Sequence, residues 1–170
     1  MSRDPPTGRD LGQVATHVAP TGAPAYQEAR AMSEPPFTLR QIDHVVIRAR
    51  DPAALEAFYC DVLGCTVERR QDGIGLVQLR AGASLIDLVD VDGKLGRMGG
   101  AAPGAEGHNM DHLCLRVDPF DREAIVAHLQ AHGATVGEFG SRYGAEGDGP
   151  SQYLQDPEGN VVELKGPPDA

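Results

Sequence analysis

At 170 residues the chain is long enough for one domain or two small modules, and 41% hydrophobic against 24% charged residues is an ordinary globular balance with ample material for a core. A formal net charge of -10 and a pI near 4.9 argue against nucleic acid or an anionic membrane surface as the partner, since both call for a basic footprint. The three cysteines, Cys60, Cys65 and Cys114, form no C-x-x-C pair and follow no apolar leader, so free thiols in a reducing cytoplasm are expected.

Residues 1 to 38 carry Pro5, Pro6, Pro20, Pro24, Pro35 and Pro36 with scattered Gly, Ala and Ser and no sustained apolar period, which predicts a flexible Pro-rich tail. From Phe37 to Ala49 the pattern turns to a strand, with Ile42, His44, Val46 and Arg48 on one face and Val45 and Ile47 on the other. Asp51-Pro52 then reads as an N-cap with Pro at the first helical position. Leu55, Phe58, Tyr59, Val62 and Leu63 make the apolar stripe of that helix, and Gly64 stops it. Strands are expected at Cys65 to Arg69, Ile74 to Leu79 and Ser84 to Val91, giving a β-α-β-β-β module over residues 40 to 91. A Gly- and Ala-rich linker follows from 92 to 109.

The second module, residues 110 to 167, repeats the plan. Met110-Asp111-His112-Leu113-Cys114-Leu115-Arg116 restates Ile42-Asp43-His44-Val45-Val46-Ile47-Arg48, with His112 68 positions after His44. Such internal self-similarity marks a duplicated unit. A helix is expected from Asp118 or Asp121 to Gly133, a strand from Ala134 to Glu138, a long polar loop from Gly140 to Pro150, and a closing hairpin of Ser151 to Gln155 and Val161 to Lys165. The loop keeps Arg142 and Tyr143 among its glycines, and long loops on a repeated scaffold often serve binding.

Alternation sets His112 on a face with Cys114 and Arg116, Asp87 with Leu85 and Val89, and Glu163 with Val161 and Lys165. Two imidazoles and two carboxylates at matching places of a repeat meet near one point if the modules are related by a pseudo-twofold axis. Burying so many ionisable groups without a partner is costly, so a metal site at His44, His112, Glu163 and Asp87 is expected, with Asp87 either a ligand or an outer group. Neutral imidazole with carboxylate suits a divalent first-row ion: Ni, Co, Mn, Zn or Fe. Arg48 and Arg116, on the same faces as the histidines, are candidates to clamp an acidic substrate group, or else strand-end ion pairs. Arg142, Tyr143, Tyr153 and His108 are further candidates for substrate contact or proton donation.

Ile42-Asp43-His44 to Asp51, Phe58-Tyr59-Cys60-Asp61-Val62-Leu63-Gly64, Met110 to Val117 and Asp156-Pro157-Glu158-Gly159-Asn160-Val161-Val162-Glu163-Leu164 together resemble the vicinal oxygen chelate superfamily, which includes glyoxalase I, extradiol dioxygenases, fosfomycin-resistance enzymes and bleomycin-binding proteins. The resemblance spans residue 40 to about 167. It implies an α+β fold of two tandem β-α-β-β-β modules forming an open, cupped mixed sheet around a divalent metal, commonly in a homodimer. His44, His112 and Glu163 match the family's ligand positions. Asp87 stands where glyoxalase I has a Glu, and Arg48 where it has an arginine that contacts glutathione, whereas Val91 replaces an Asn found there.

The expected function is therefore a metal-dependent lyase or isomerase of the glyoxalase type. It acts on a small molecule with vicinal oxygens, and Glu163 takes a proton alpha to a carbonyl. An iron-dependent ring-cleaving dioxygenase and a small-molecule binding or resistance protein without catalysis are the alternatives.

Overall fold

The computed structural model describes residues 35–169. The expectation of a flexible tail falls, up to residue 34, outside the described residues. The compact unit begins at Gln41.

The first strand, β1, runs His44–Ala49, starting later than its apolar pattern suggests. Helix α1 covers Pro52–Ala57. Asp51 caps it, its carboxylate accepting from the Ala54 amide at 3.0 Å, and Pro52 sits where a missing N–H costs nothing. The helix widens into a π-helical turn over Phe58–Val62 and ends at Gly64, whose φ of 75° is the left-handed conformation glycine adopts freely. Strands β2 (Thr66–Gln71), β3 (Leu76–Ala81) and β4 (Ser84–Asp90) complete the module. In the second module β5 covers Leu113–Arg116 and α2 covers Arg122–Ala131, capped by Asp121 rather than Asp118. Strands β6 (Thr135–Gly144), β7 (Gly147–Gln155) and β8 (Val161–Lys165) follow.

The strands divide into two mixed sheets of the same order, β1-β4-β3-β2 and β5-β8-β7-β6. In each, the first strand pairs parallel with the last and the other pairings are antiparallel. The parallel pairing is what a crossover helix makes possible. The sequence expectation of a loop over Gly140 to Pro150 is corrected: these residues extend β6 and β7 into a long hairpin, paired down to Gly144 opposite Gly147. Two of the glycines, Gly149 and Gly144, are there for space. A Cβ on Gly149 would lie 2.4 Å from the Pro167 carbonyl oxygen, and one on Gly144 would meet the Lys165 stem at 2.4 Å.

One core serves both modules. Ile47, Leu55, Tyr59, Leu79, Ile86 and Leu88 pack in the same cluster as Leu129, Leu154, Val162 and Leu164. These are the residues of odd register on β1 and of even register on β4 and β8, so the opposite faces, carrying His44, Asp87, Cys114 and Glu163, are turned away from that apolar cluster. Among the described residues no helix is long and apolar enough to cross a membrane.

Candidate metal centre in two half-sites

Register delivers the chemistry. Because Val46 pairs with Asp87 on parallel strands, the face with His44, Val46 and Arg48 is also the face with Asp87. Because Cys114 pairs with Glu163, and Glu163 with Tyr153 across the hairpin, the second module places His112, Cys114, Glu163 and Tyr153 on one face. In each module the carboxylate has a polar cross-strand neighbour, Gln78 for Asp87 and Tyr153 for Glu163.

The recurring Asp-His dipeptide has a physical reason. Asp111 lies 2.7 Å from His112 Nδ1, and Asp43 lies 2.8 Å from His44 Nδ1. A carboxylate on Nδ1 holds the proton on that nitrogen and leaves Nε2 to serve a metal or a substrate. The Asp43 contact, reinforced by the charge of Asp87, raises the pKa of His44 above its ordinary value.

In the second half-site His112 Nε2 is 3.3 Å from Glu163 Oε2. Glu163 is 4% exposed, and its other oxygen accepts a 2.5 Å hydrogen bond from the fully buried Ser151 hydroxyl. Burial pushes the Glu163 carboxyl up, but Ser151, Cys114, Tyr153 and the neighbouring His112 outweigh it and hold the group below the usual range. Glu163 is thus an anion at neutral pH. The same carboxylate, with burial as the larger cause, drives the Cys114 thiol up to about 11. The His112 ring stands edge-on to Tyr153 at 5.8 Å between centroids.

In the first half-site Asp87 is 6% exposed, and the Gln78 side-chain nitrogen lies 3.1 Å from both of its oxygens. The two half-sites remain separate: among the described residues no group of three or more His, Cys, Asp and Glu side chains is gathered closely enough to hold a metal ion. The structure pairs His112 with Glu163 and puts His44 on the face of Asp87, but it does not bring the four together within the chain.

Arg48, one of the two clamp candidates, makes structural contacts in this chain. Its guanidinium donates to the carbonyls of Gly96, Gly99, Gly100 and Ala101 at 2.7 to 3.0 Å, so it pins the linker and has little left to offer a ligand. The Gly-rich linker presents convergent carbonyls, which a five-donor planar cation satisfies. Arg116 behaves differently: it pairs with Glu146 at 2.6 Å and lines a pocket of about 460 Å³ with His112, Cys114, Glu163, Lys165 and Tyr143. Tyr143 is 82% exposed on that rim. Arg142 pairs with Glu138 at 2.7 Å and lies 5.8 Å over the Tyr153 ring. His108 lines a separate small pocket with Arg50 and Glu158, away from the histidine ligand candidates. An apolar cleft of about 400 Å³ along β1 and β5, lined by Val45, Ile86, Leu113 and Leu115, contains neither His112 nor Glu163.

Sequence reasoning missed Ser151, Gln78 and Lys165. The first two are polar residues on strands opposite the carboxylate strands, a signal visible only once the hairpin register is known. Lys165 is 6% exposed, with its ammonium donating to the Arg142 carbonyl at 2.5 Å and the Gly149 carbonyl at 3.2 Å.

The model of the Glyoxalase/Bleomycin resistance protein/Dioxygenase superfamily matches residues 41–164. The uncharacterized protein YaeR of Escherichia coli K12 is 37% identical over 100 residues, covering 55% of this chain and 72% of that protein. Among solved structures, virulence protein STM3117 from Salmonella typhimurium superposes with a TM-score of 0.65 at 23% identity, covering 77% of this chain and 99% of that one. A lactoylglutathione lyase from Agrobacterium tumefaciens superposes with a TM-score of 0.53 at 27% identity, covering 74% and 92%.

Proposed function

This chain belongs to the glyoxalase, bleomycin resistance protein and dioxygenase superfamily, and from that premise we propose that it is a metal-dependent lyase or isomerase of the glyoxalase type. Its substrate is a small molecule with two adjacent oxygens. The observation that carries the reading is the doubled half-site: an imidazole oriented by the aspartate before it, on the same sheet face as a buried carboxylate, in each module. The likeness to a lactoylglutathione lyase supports it.

The donor set fits a divalent first-row ion. His112 and Glu163 converge at 3.3 Å, and His44 and Asp87 offer the same chemistry in the other module. Since neither pair suffices alone, the reading requires a twofold homodimer in which the first module of one copy faces the second module of the other. His44 and Asp87 of one copy with His112 and Glu163 of the other would hold a divalent ion there, which would supply Lewis-acid polarisation of a substrate's adjacent oxygens.

The chain's own residues do the rest. His44 and His112 present Nε2, and their aspartates keep the rings in place. Glu163 takes the proton from the hydroxyl-bearing carbon next to the substrate carbonyl as the C–H electron pair moves towards that carbonyl oxygen. The proton then returns to the former carbonyl carbon while the hydroxyl proton passes to its oxygen, leaving a carbonyl on the first carbon and completing an isomerisation. A carboxylate held below its usual pKa is a weak base, so this step depends on the acidity that the polarised carbonyl gives the carbon. Arg116 and Tyr143 face the pocket where an acidic substrate end binds.

Elemental analysis of the purified full chain beside His112→Ala and His44→Ala tests the reading. Ni, Co, Mn or Zn lost in both variants, together with turnover of a 2-oxoaldehyde thiol adduct, is the expected result. Iron retained only anaerobically, with oxygen uptake on catechols, replaces the lyase by a dioxygenase. No metal after reconstitution, with unchanged ligand recovered from a tight complex, replaces it by a binding protein.

A further inference from the structure

The two buried carboxylates are held in different ways. Gln78 caps both oxygens of Asp87 from a single nitrogen, at 3.1 Å each. Ser151 takes only one oxygen of Glu163, at 2.5 Å, and the other oxygen is the one that lies 3.3 Å from His112 Nε2. The separation is in the short range of a hydroxyl donating to an ionised carboxylate. Ser151 is fully buried, so this hydrogen bond has no competition from solvent. The duplication does not explain it. Ser151 pairs with Lys165, two residues beyond Glu163, whereas the matching place in the first module, opposite Val89, is Leu76.

We infer that Ser151 is a positioning residue that makes Glu163 a one-oxygen metal ligand, by occupying the second oxygen that would otherwise close a chelate. The inference rests on the metal reading above and adds to it a coordination mode and the residue that sets it. With Oε1 anchored on Ser151, Oε2 can move between metal and substrate proton while the side chain stays in place. Without the hydroxyl both oxygens are free to bind the ion, its coordination number rises, and a position needed by substrate is filled.

Cobalt reads this directly, because its visible d–d bands weaken as coordination number rises. Co²⁺ is titrated into the full chain and into Ser151→Ala, Ser151→Thr and His112→Ala, with absorption recorded and folding followed by circular dichroism. Ser151→Ala is expected to bind Co²⁺ about tenfold more weakly with clearly less intense bands, in keeping with the 10–100-fold cost of losing a group that orients a ligand. Ser151→Thr, which keeps the hydroxyl, retains the wild-type bands. Bands of unchanged intensity in Ser151→Ala overturn the inference whatever the affinity does, because a merely structural role weakens binding without altering the coordination. If Ser151→Ala does not fold, Ser151→Val removes the donor with a residue suited to a strand and is read in the same way. Wild-type protein that binds no Co²⁺ overturns the metal reading and this inference together. Binding abolished in His112→Ala, with bands unmoved by Ser151→Ala, overturns the inference alone.

Discussion

The two modules share a motif and a topology, yet corresponding side chains take different work. Arg48 and Arg116 each stand four residues after a ligand-type histidine. Arg48 is spent on four linker carbonyls, and Arg116 sits at a pocket rim in a surface ion pair. Asp87 lies under an amide that covers both oxygens, and Glu163 keeps one oxygen open towards His112. The duplication conserves the scaffold that brings an imidazole and a carboxylate to one sheet face. What each half-site then does is decided by the residues around that pair, and under the proposed function the second module is the one arranged for chemistry.

The strongest way to break this comparison is to neutralise each carboxylate. Glu163→Gln keeps size and an acceptor for Ser151 but removes the base and the charge, so kcat is expected to fall by about 10²–10⁴ with the fold intact. Asp87→Asn, under the same amide, is expected to lose roughly 10–100-fold, as for a group that orients or supports a ligand. Steady-state kinetics at saturating metal decides it, and a larger loss in Asp87→Asn than in Glu163→Gln reverses the roles given to the modules.

Arg48→Ala separates latch from clamp. Removing a cation that satisfies four carbonyls is expected to cost about 3 kcal/mol, the linker carbonyls then turning to water. Denaturant unfolding measures it. A variant as stable as wild type but with a strongly raised KM restores Arg48 as a substrate residue.

The scaffold was legible in the sequence because period and punctuation are local. Asp51-Pro52, Gly64 and Asp121 mark helix ends by their own chemistry, and the Asp-His repeat marks the duplication. The β6–β7 hairpin was not legible, since Gly140, Gly144, Gly147 and Gly149 read as loop until Pro167 and Lys165 are seen pressing on two of them. The contacts of Arg48 were not legible for a related reason: strand alternation says which face a side chain leaves from, but not that a linker some fifty residues on will bring its carbonyls to the guanidinium. Ser151 and Gln78 required the antiparallel register, which is fixed by tertiary pairing.

Acid titration sharpens the difference at the carboxylates. Glu163 has a folded pKa below its unfolded value, so its contribution to stability is present above the ordinary carboxylate pKa of 4.5 and is lost as pH falls through the folded value. Ser151→Ala removes one of the interactions that lower it. The stability gap between wild type and Ser151→Ala is therefore expected to be fully open at pH 7 and to narrow below pH 4.5, by urea unfolding at a series of pH values. A gap of constant size over that range takes the charged carboxylate out of the account.

The smallest effect is expected at Arg116, and its smallness is the point. The pair with Glu146 joins side chains 38% and 57% exposed, and such pairs contribute about 0–1 kcal/mol. Arg116→Ala should therefore leave unfolding close to wild type, in contrast to Arg48→Ala. Its guanidinium nevertheless lines the pocket beside His112 and Glu163, so an anionic substrate should bind more weakly, with KM rising more than kcat falls. Raised salt should shrink that difference, because an exposed charge is screened. Two arginines at the same place in a repeat would then divide cleanly, one felt in stability and one in substrate affinity. An Arg116→Ala protein as destabilised as Arg48→Ala, with KM unchanged, would return both to scaffold and leave the pocket's recognition of an acidic group to Tyr143 and its neighbours.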